Sequence, residues 1–388
     1  MIINELKIYN INGIEQLELK FNAGINIICG PNGIGKTTIL ECIAHAFVSQ
    51  DMVILKKKSN SDRARFEIAA VREDCILNET FNITAFEPGI LGAIRSSLIH
   101  HSNYLLSLKS TRNFAYTKLD NISRDVTKGT STSMEEAATG VSIYDVKSWL
   151  INRIMHSYAP DMLTSEQTHN LERTKLYFSI LDDRYSFSRS TPNFDIMINT
   201  PDGEIYYEYL SSGFKACLAI LLGITKEIEL RFTEPRIKIE EFDGVILVDE
   251  VELHLHPEWQ AKIPEILKIA FPNAQIILTT HSPHVIQAAK SEEIIALEKH
   301  SDSTTRRTLP ASSFGFQGWT VEEVLKDVMG MPDTRTPAFH NAINEFENAV
   351  DQEKYEEALS AYNQLNELLH PTNHLRKLLS FQLGALKG

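Results

Sequence analysis

An α/β phosphate-loop fold, with a mixed β-sheet core, an inserted mainly helical lobe and C-terminal helices, is the architecture the sequence predicts. Three observations carry it. Ile25 to Cys29 is a short apolar, β-prone run that enters the glycine-rich loop Gly30-Pro31-Asn32-Gly33-Ile34-Gly35-Lys36-Thr37, and Thr37 to Ala44 continues as a helix. Gly244 to Val248 is a second apolar run that ends in Asp249-Glu250, and Gln275 to Thr280 is a third that ends in His281. Far more chain separates Lys36 from Asp249 than a minimal phosphate-loop domain needs, so a lobe is expected to be inserted between them.

The loop matches G-x-x-x-x-G-K-[ST] in its required strand-to-helix setting. Its glycines let the backbone approach a phosphate and turn N–H groups toward it, and the helix N-terminus adds a favourable dipole. Gly30, Asn32, Gly33, Gly35, Lys36, Thr37 and Thr38 are therefore candidate phosphate-binding residues. Lys36 is expected to reach the outer phosphates and Thr37 to ligate Mg²⁺. A buried strand ending in Asp holds a carboxylate beside that metal, which makes Asp249 the metal-side acid. Glu250 is then the general base for an attacking water. His281, at the end of the next apolar strand, is placed to hydrogen-bond the γ-phosphate. ATP and Mg²⁺ are the expected substrate and cofactor.

The chain in order begins with two paired strands over Ile2 to Phe21, turned at Asn10-Ile11-Asn12-Gly13. Arg65 to Ala70 and Cys75 to Phe86 read as further strands of the same sheet. Ile90 to Leu108 mixes short helical signals, and its His100-His101 pair lacks partners at ligand spacing. Asp120 to Gly140, rich in Ser, Thr and Gly, reads as a mobile loop. Helices are expected over Ile143 to His156 and Ser165 to Leu181, and a hairpin over Phe194 to Tyr209 with its turn at Pro201-Asp202-Gly203. Leu210-Ser211-Ser212-Gly213 opens a strongly apolar helix. Ser211 is a natural N-cap, and Ser211 with Gly213 offers a second anion site at a helix N-terminus. Glu293 to Glu298 reads as the last core strand, followed by a polar loop at Ser301 to Arg307. Three helices, Pro337 to Val350, Gln352 to Leu369 and Asn373 to Leu386, complete the chain, with Ala358, Tyr362, Leu365 and Leu368 on one face of the middle one. The expected division is residues 1–50 and 194–300 as the nucleotide-binding core, 51–193 as the inserted lobe and 301–388 as the C-terminal helical region.

Composition bounds the class. The 388 residues are 43% hydrophobic and 23% charged, as in a soluble globular protein, and no apolar stretch is long enough to span a bilayer. A cytoplasmic protein without membrane contact is the expectation. The four cysteines, three of them in apolar contexts, show no C-x-x-C pairing and read as buried free thiols. His254, His256 and His284 lie near His281 in sequence, but no H-E-x-x-H spacing supports zinc. A formal net charge of −13 argues against a surface that coats nucleic acid throughout. It leaves Lys56 to Lys58, with Arg63 and Arg65, as a solvated loop or a local, salt-sensitive DNA contact.

The order GPNGIGKT, LSSG, ILVDE, THS resembles the ABC-type ATPase superfamily. Within it the chain resembles the SMC/RecF-like branch, which also includes the bacterial OLD and Septu defence ATPases. INELKIYNINGIEQLELKF resembles the opening of these proteins. DEVELHLHPEWQ resembles their acidic motif, more commonly DEPE-x-HLHP, and GWTVEEVLKDVMGMPDTRTP resembles the tail of single-chain ATP-binding proteins of phage-defence operons. The resemblance implies an ABC-type ATPase head and a homo-dimer or higher homo-oligomer. In it, Ser211 and Gly213 of one subunit would close over the γ-phosphate held by Lys36 of another, with His254 to Pro257 touching the opposite subunit. Two departures stand out. Asn10-Ile11-Asn12-Gly13 replaces the common N-F-R-G, and neither Gln50 nor Gln167 sits where a lid glutamine would. Three functions fit: a phage-defence ATPase controlling a separately encoded HNH-type nuclease, a RecF-like repair ATPase, and a transporter subunit. The last is disfavoured because LSSGF lacks the usual glutamine after glycine. A fused nuclease of OLD type is disfavoured because the chain after His281 reads as helical, without an acidic Toprim-like pattern.

Overall fold

A computed structural model describes residues 1–50, 52, 54–87, 95–110, 119, 125–300, 303–310, 314–331, 333 and 335–386. Two compact units are present, Met1–Met331 and Pro332–Gly388.

The first unit opens with strands β1 (Ile2–Ile11) and β2 (Ile14–Lys20), β3 (Ile25–Cys29) and helix α1 (Lys36–His45). Next come β4 (Ala64–Arg72), β5 (Cys75–Ile83), a 3₁₀ turn at Ser97–Tyr104 and β6 (Leu105–Leu108). Helices α2 (Thr130–Thr139), α3 (Val146–Ser157) and α4 (Ser165–Leu181) precede β7 (Ser186–Ser190), β8 (Ile196–Thr200) and β9 (Gly203–Tyr206). The remainder is α5 (Ser212–Arg231), β10 (Val245–Val248), α6 (Pro257–Ala270), β11 (Gln275–Thr279), α7 (Pro283–Ala288), β12 (Ile294–His300) and β13 (Ser303–Arg306).

Six strands form the central sheet in the order β13-β12-β3-β11-β10-β6, parallel except for β13. Every residue of β3, β6, β10 and β11 is buried, the pattern of parallel strands covered on both faces. Alternate side chains supply two cores. Ile28, Leu247, Ile277 and Ile295 pack toward α1 and a second, antiparallel sheet in the order β2-β1-β4-β5. Ile27, Ile246, Ile276 and Ala296 pack into the cluster that also holds α3, α4 and α5. Each buried Ile or Leu contributes about 1.5–3 kcal/mol by leaving water. Because the parallel strands run the same way, the loops after β3, β6, β10 and β11 emerge at one edge, where α/β sheets bind ligands.

The inserted lobe expected over residues 51–193 does not separate from the core in strand pairing. β4 pairs with β1 and β5 extends that sheet, turning at Glu73-Asp74, whose positive φ angles of 49° and 63° suit a two-residue hairpin. β6 completes the central sheet beside β10. The Ser- and Thr-rich stretch expected as a mobile loop contains α2, which buries Ser133 and Ala137. The segments 88–94, 111–118 and 120–124 of the stretches discussed above lie outside the described residues. The polar loop expected after the last core strand holds the edge strand β13, although residues 301 and 302 lie outside the description. β7 was not anticipated; it pairs with β8 beside the expected hairpin.

α5 is buried along nearly its whole length, and its last two turns bury charge as well as apolar surface. Lys226 bonds Asp145 and the Ser142 carbonyl, Arg231 bonds Glu136 and the Leu105 carbonyl, and Glu229 accepts from Arg153. Such charges tolerate burial only when paired in this way.

In the second unit, α8 (Pro337–Asp351), α9 (Tyr355–Leu368) and α10 (His374–Ala385) enclose their own core of Phe339, Phe346, Ala358, Ala361, Leu365, Leu379 and Leu383. The buried face of α9 is thus Ala358, Ala361 and Leu365. Leu368, expected on that face, is 46% exposed, because it ends the helix one turn beyond its neighbours. No helix among the described residues is long and apolar enough to cross a membrane.

Candidate active site at the sheet edge

The phosphate loop leaves β3 at Gly30, whose φ of 146° excludes side chains; a Cβ there would lie 2.6 Å from the Leu297 carbonyl oxygen of β12. Gly35, at φ 107°, occupies the N-cap position of α1, and no side chain caps that helix. Its first-turn N–H groups are therefore directed to an incoming anion. Lys36 is buried, and its ammonium donates to the carbonyls of Gly30 (2.9 Å) and Pro31 (3.0 Å). Burial pulls the Lys36 pKa below the usual lysine value, opposed by Cys29, Glu252, Asp249 and Glu250. The Cys29 thiol behind the loop is pushed up to about 12 by burial.

β10 delivers Asp249 to the same edge. Its two carboxylate oxygens lie 3.3 and 3.2 Å from the Thr37 hydroxyl, and Oδ1 also accepts from Thr279 Oγ1 at 2.6 Å. Thr279 Oγ1 in turn accepts the N–H of Glu250 (2.8 Å), which turns out of the strand with a left-handed φ of 46°. Asn12, Gly13, Asn32, Gly33, Gly35, Lys36, Thr37, Thr38, Glu250, His281 and Met331 line one cavity of about 740 Å³. A carboxylate and a hydroxyl side by side at the mouth of the loop are hard oxygen donors suited to Mg²⁺. His281 is half-buried; burial and then the Lys36 ammonium hold its pKa below the usual histidine value, while the three acids oppose them. It is accordingly a neutral imidazole near pH 7.

The residues selected from sequence thus fall into two groups. The loop residues, Asp249, Glu250 and His281 converge. Ser211 and Gly213 are not among the residues lining that cavity. Ser211, exposed, caps α5 by accepting the Phe214 N–H at 3.3 Å. Gly213 is buried against α6, where a Cβ would meet Trp259 Cδ1 at 3.0 Å and the His256 nitrogen at 3.3 Å. Asn12, read in sequence as a turn residue and standing where N-F-R-G has arginine, donates to Thr38 Oγ1 (3.3 Å) and bonds the backbone of Lys56. Thr279 and Glu252 were missed; a Thr closing an apolar strand carries no signal until the strand pairing is known. The Lys56 to Lys58 run is engaged locally: Lys56 donates to the Glu87 carbonyl, Lys57 to that of Ser61, and Lys58 pairs with Glu15. Arg65 pairs with Glu67 and lies over the Tyr9 ring.

A phosphate loop between a buried strand and a helix, with the acid of a neighbouring parallel strand at its threonine, defines an α/β P-loop ATPase. Residues 25–287 match the AAA_21 family model, described as "AAA domain, putative AbiEii toxin, Type IV TA system". The chain belongs to that family and is an ATPase. It is 43% identical over 388 residues to the Septu protein PtuA of Bacillus thuringiensis, covering 99% of this chain and 98% of that one. It is 23% identical over 359 residues to the Septu protein PtuA of Bacillus mycoides (strain KBAB4), covering 86% of this chain and 45% of the relative. Among solved structures, the SMC head domain from Thermotoga maritima aligns at a TM-score of 0.49 with 15% identity, over 80% of this chain and 100% of that one.

Proposed function

We propose that this ATPase closes as a homo-dimer around ATP and, through that closure, controls a separately encoded HNH-type nuclease in bacterial anti-phage defence. The observation that carries the dimer is the division of the site. Lys36, Thr37, Glu250 and His281 share one cavity, whereas Ser211 and Gly213 stand at a different helix N-terminus in the same chain. A second copy is the natural source of that second anion-binding end. Full-length likeness to a Septu protein favours defence over repair.

In the proposed reaction Lys36 exchanges the Gly30 and Pro31 carbonyls for the outer phosphates, and the loop N–H groups hold the β-phosphate. Thr37 and Asp249 would hold Mg²⁺, which when bound would neutralise charge on the phosphate oxygens. Glu250 takes a proton from water as its oxygen attacks the γ-phosphorus, and the bond to the bridging oxygen breaks to leave ADP and phosphate. His281 donates to a γ-phosphate oxygen. The partner nuclease prefers one state of the dimer and is engaged or released as it closes.

Mixing inactive variants tests the shared site. Lys36→Ala and Ser211→Arg should each abolish hydrolysis. Their mixture should regain part of it, since one composite site in the mixed dimer then holds an intact Lys36 and an intact Ser211. No recovery with subunit exchange confirmed would remove the shared site. Purified chain with Mg²⁺ or Mn²⁺ should leave plasmid DNA intact; cleavage lost on a point mutation here would place the nuclease in this chain instead.

A further inference from the structure

Glu252, two residues beyond the proposed base, holds the segment that carries His281. Its Oε1 accepts the backbone N–H of His281 at 2.6 Å and its Oε2 accepts the Thr280 hydroxyl at 2.8 Å. The location explains why such a holder is needed. Thr280 N–H still pairs with the Ile28 carbonyl of β3, so His281 is the first residue whose N–H has left the sheet. Glu252 is itself fixed, because the Val251 N–H donates to the Thr279 carbonyl and the Leu255 N–H to the carbonyl of Glu252. The Thr280 hydroxyl passes the constraint on by accepting the Ser282 N–H at 2.9 Å, and Ser282 caps α7.

A loop staple would need only the hydrogen bonds. Glu252 also faces the chemistry: of the three acids acting on both Lys36 and His281, it is foremost for each. We propose that Glu252 is the positioning residue for γ-phosphate recognition: by binding the backbone of His281 and the hydroxyl of Thr280, it fixes the imidazole at the cavity wall. This rests on the reading that His281 contacts the γ-phosphate. A displacement near 1 Å at such a contact costs roughly 100-fold in rate, so a two-point anchor one residue away matters to turnover more than to ATP binding.

The test is steady-state ATP hydrolysis by the full chain carrying Glu252→Ala, Glu252→Gln, His281→Ala, or Glu252→Ala with His281→Ala, with thermal midpoints measured alongside. Glu252→Ala should lower kcat by roughly 10- to 100-fold and leave KM within about 3-fold. Glu252→Gln should recover most of kcat, because its amide oxygen still accepts the His281 N–H and its NH₂ can donate to Thr280 Oγ1. In the His281→Ala background, Glu252→Ala should change nothing further. The same additional loss in that background, or a Glu252→Gln variant as slow as Glu252→Ala, overturns the proposal. If Glu252→Ala does not fold, Glu252→Gln and Glu252→Asp decide. The glutamine variant should stay near wild type and the aspartate, one methylene short, should be slow; the reverse order overturns it. A His281→Ala variant at the wild-type rate would instead strike the role of His281, and with it the ground for this inference.

Discussion

Thr279 donates its hydroxyl hydrogen to Asp249 Oδ1 across 2.6 Å and, through the same oxygen, accepts the N–H of Glu250 at 2.8 Å. One buried hydroxyl therefore orients both acids at the end of β10. Thr279→Val keeps the shape and removes both bonds, and should cost about 1–3 kcal/mol by denaturant unfolding together with a drop in kcat. Thr279→Ser keeps the hydroxyl and should remain close to wild type in both measurements.

Gly30→Ala meets two obstacles together, the φ of 146° and the Leu297 carbonyl 2.6 Å from the new Cβ. The strain should cost about 1–3 kcal/mol, and relief by shifting the loop should also weaken nucleotide binding. Calorimetric titration with ATP alongside thermal unfolding reads both; a variant binding ATP with unchanged affinity would contradict this account of the loop.

Lys109, the first residue after β6, donates to both oxygens of Glu41 on α1 at 2.7 Å, and the Glu41 side chain is only 6% exposed. Burial already pushes the Glu41 pKa up, and Lys109 pulls it down. Lys109→Met should push it higher and cost about 3 kcal/mol near pH 7. The sign of the pH dependence follows. A carboxyl whose folded pKa lies above its unfolded value pays nothing when protonated in both states. The penalty should therefore be small below about pH 4 and grow as pH rises through and beyond the ordinary carboxylate range. Glu41→Gln added to Lys109→Met should recover most of the loss.

Glu250→Gln retains the backbone bond to Thr279 and loses the basic oxygen. Hydrolysis should fall by roughly 10²-fold or more while ATP stays bound. In the proposed mechanism the closed dimer then accumulates, and size-exclusion with ATP should show it. A variant that elutes as a monomer with ATP bound would count against closure around the nucleotide.

The parts of the site legible in sequence are those in which local pattern and chemistry coincide. Gly30 to Thr37 announces itself because loop, strand and helix are contiguous, and Asp249 and His281 because each ends a run too apolar to lie anywhere but inside a sheet. Glu252 and Thr279 were not legible. Their partners lie 28 to 30 residues away in sequence and meet only because β10 and β11 pair in register. The same limit hid β6. Four residues, Leu105 to Leu108, carry no period that separates strand from helix, and their place is fixed by pairing with β10. The polar composition of Thr130 to Thr139 concealed a helix that buries only Ser133 and Ala137, too few apolar contacts to mark a face.

The first turn of α6 has a consequence for how two nucleotides would communicate. Trp259 and the His256 nitrogen crowd Gly213 on one side, and on the other Gln260 accepts the Ser282 hydroxyl at 2.6 Å, beside His281. In the proposed pair, a chain meets one ATP with Ser211 and Gly213 and the other with His281, and this turn lies between the two contacts. That turn has little slack to absorb a shift, since a Cβ at Gly213 would already press to 3.0 Å from Trp259 Cδ1 and a hydrogen bond of 2.6 Å holds Gln260. Loss of a γ-phosphate at one site should thus be felt as strain at the other, and hydrolysis should depend on ATP concentration with a Hill coefficient above one. Gln260→Ala, which cuts the link and leaves the residues lining the cavity in place, should return that dependence to a simple hyperbola.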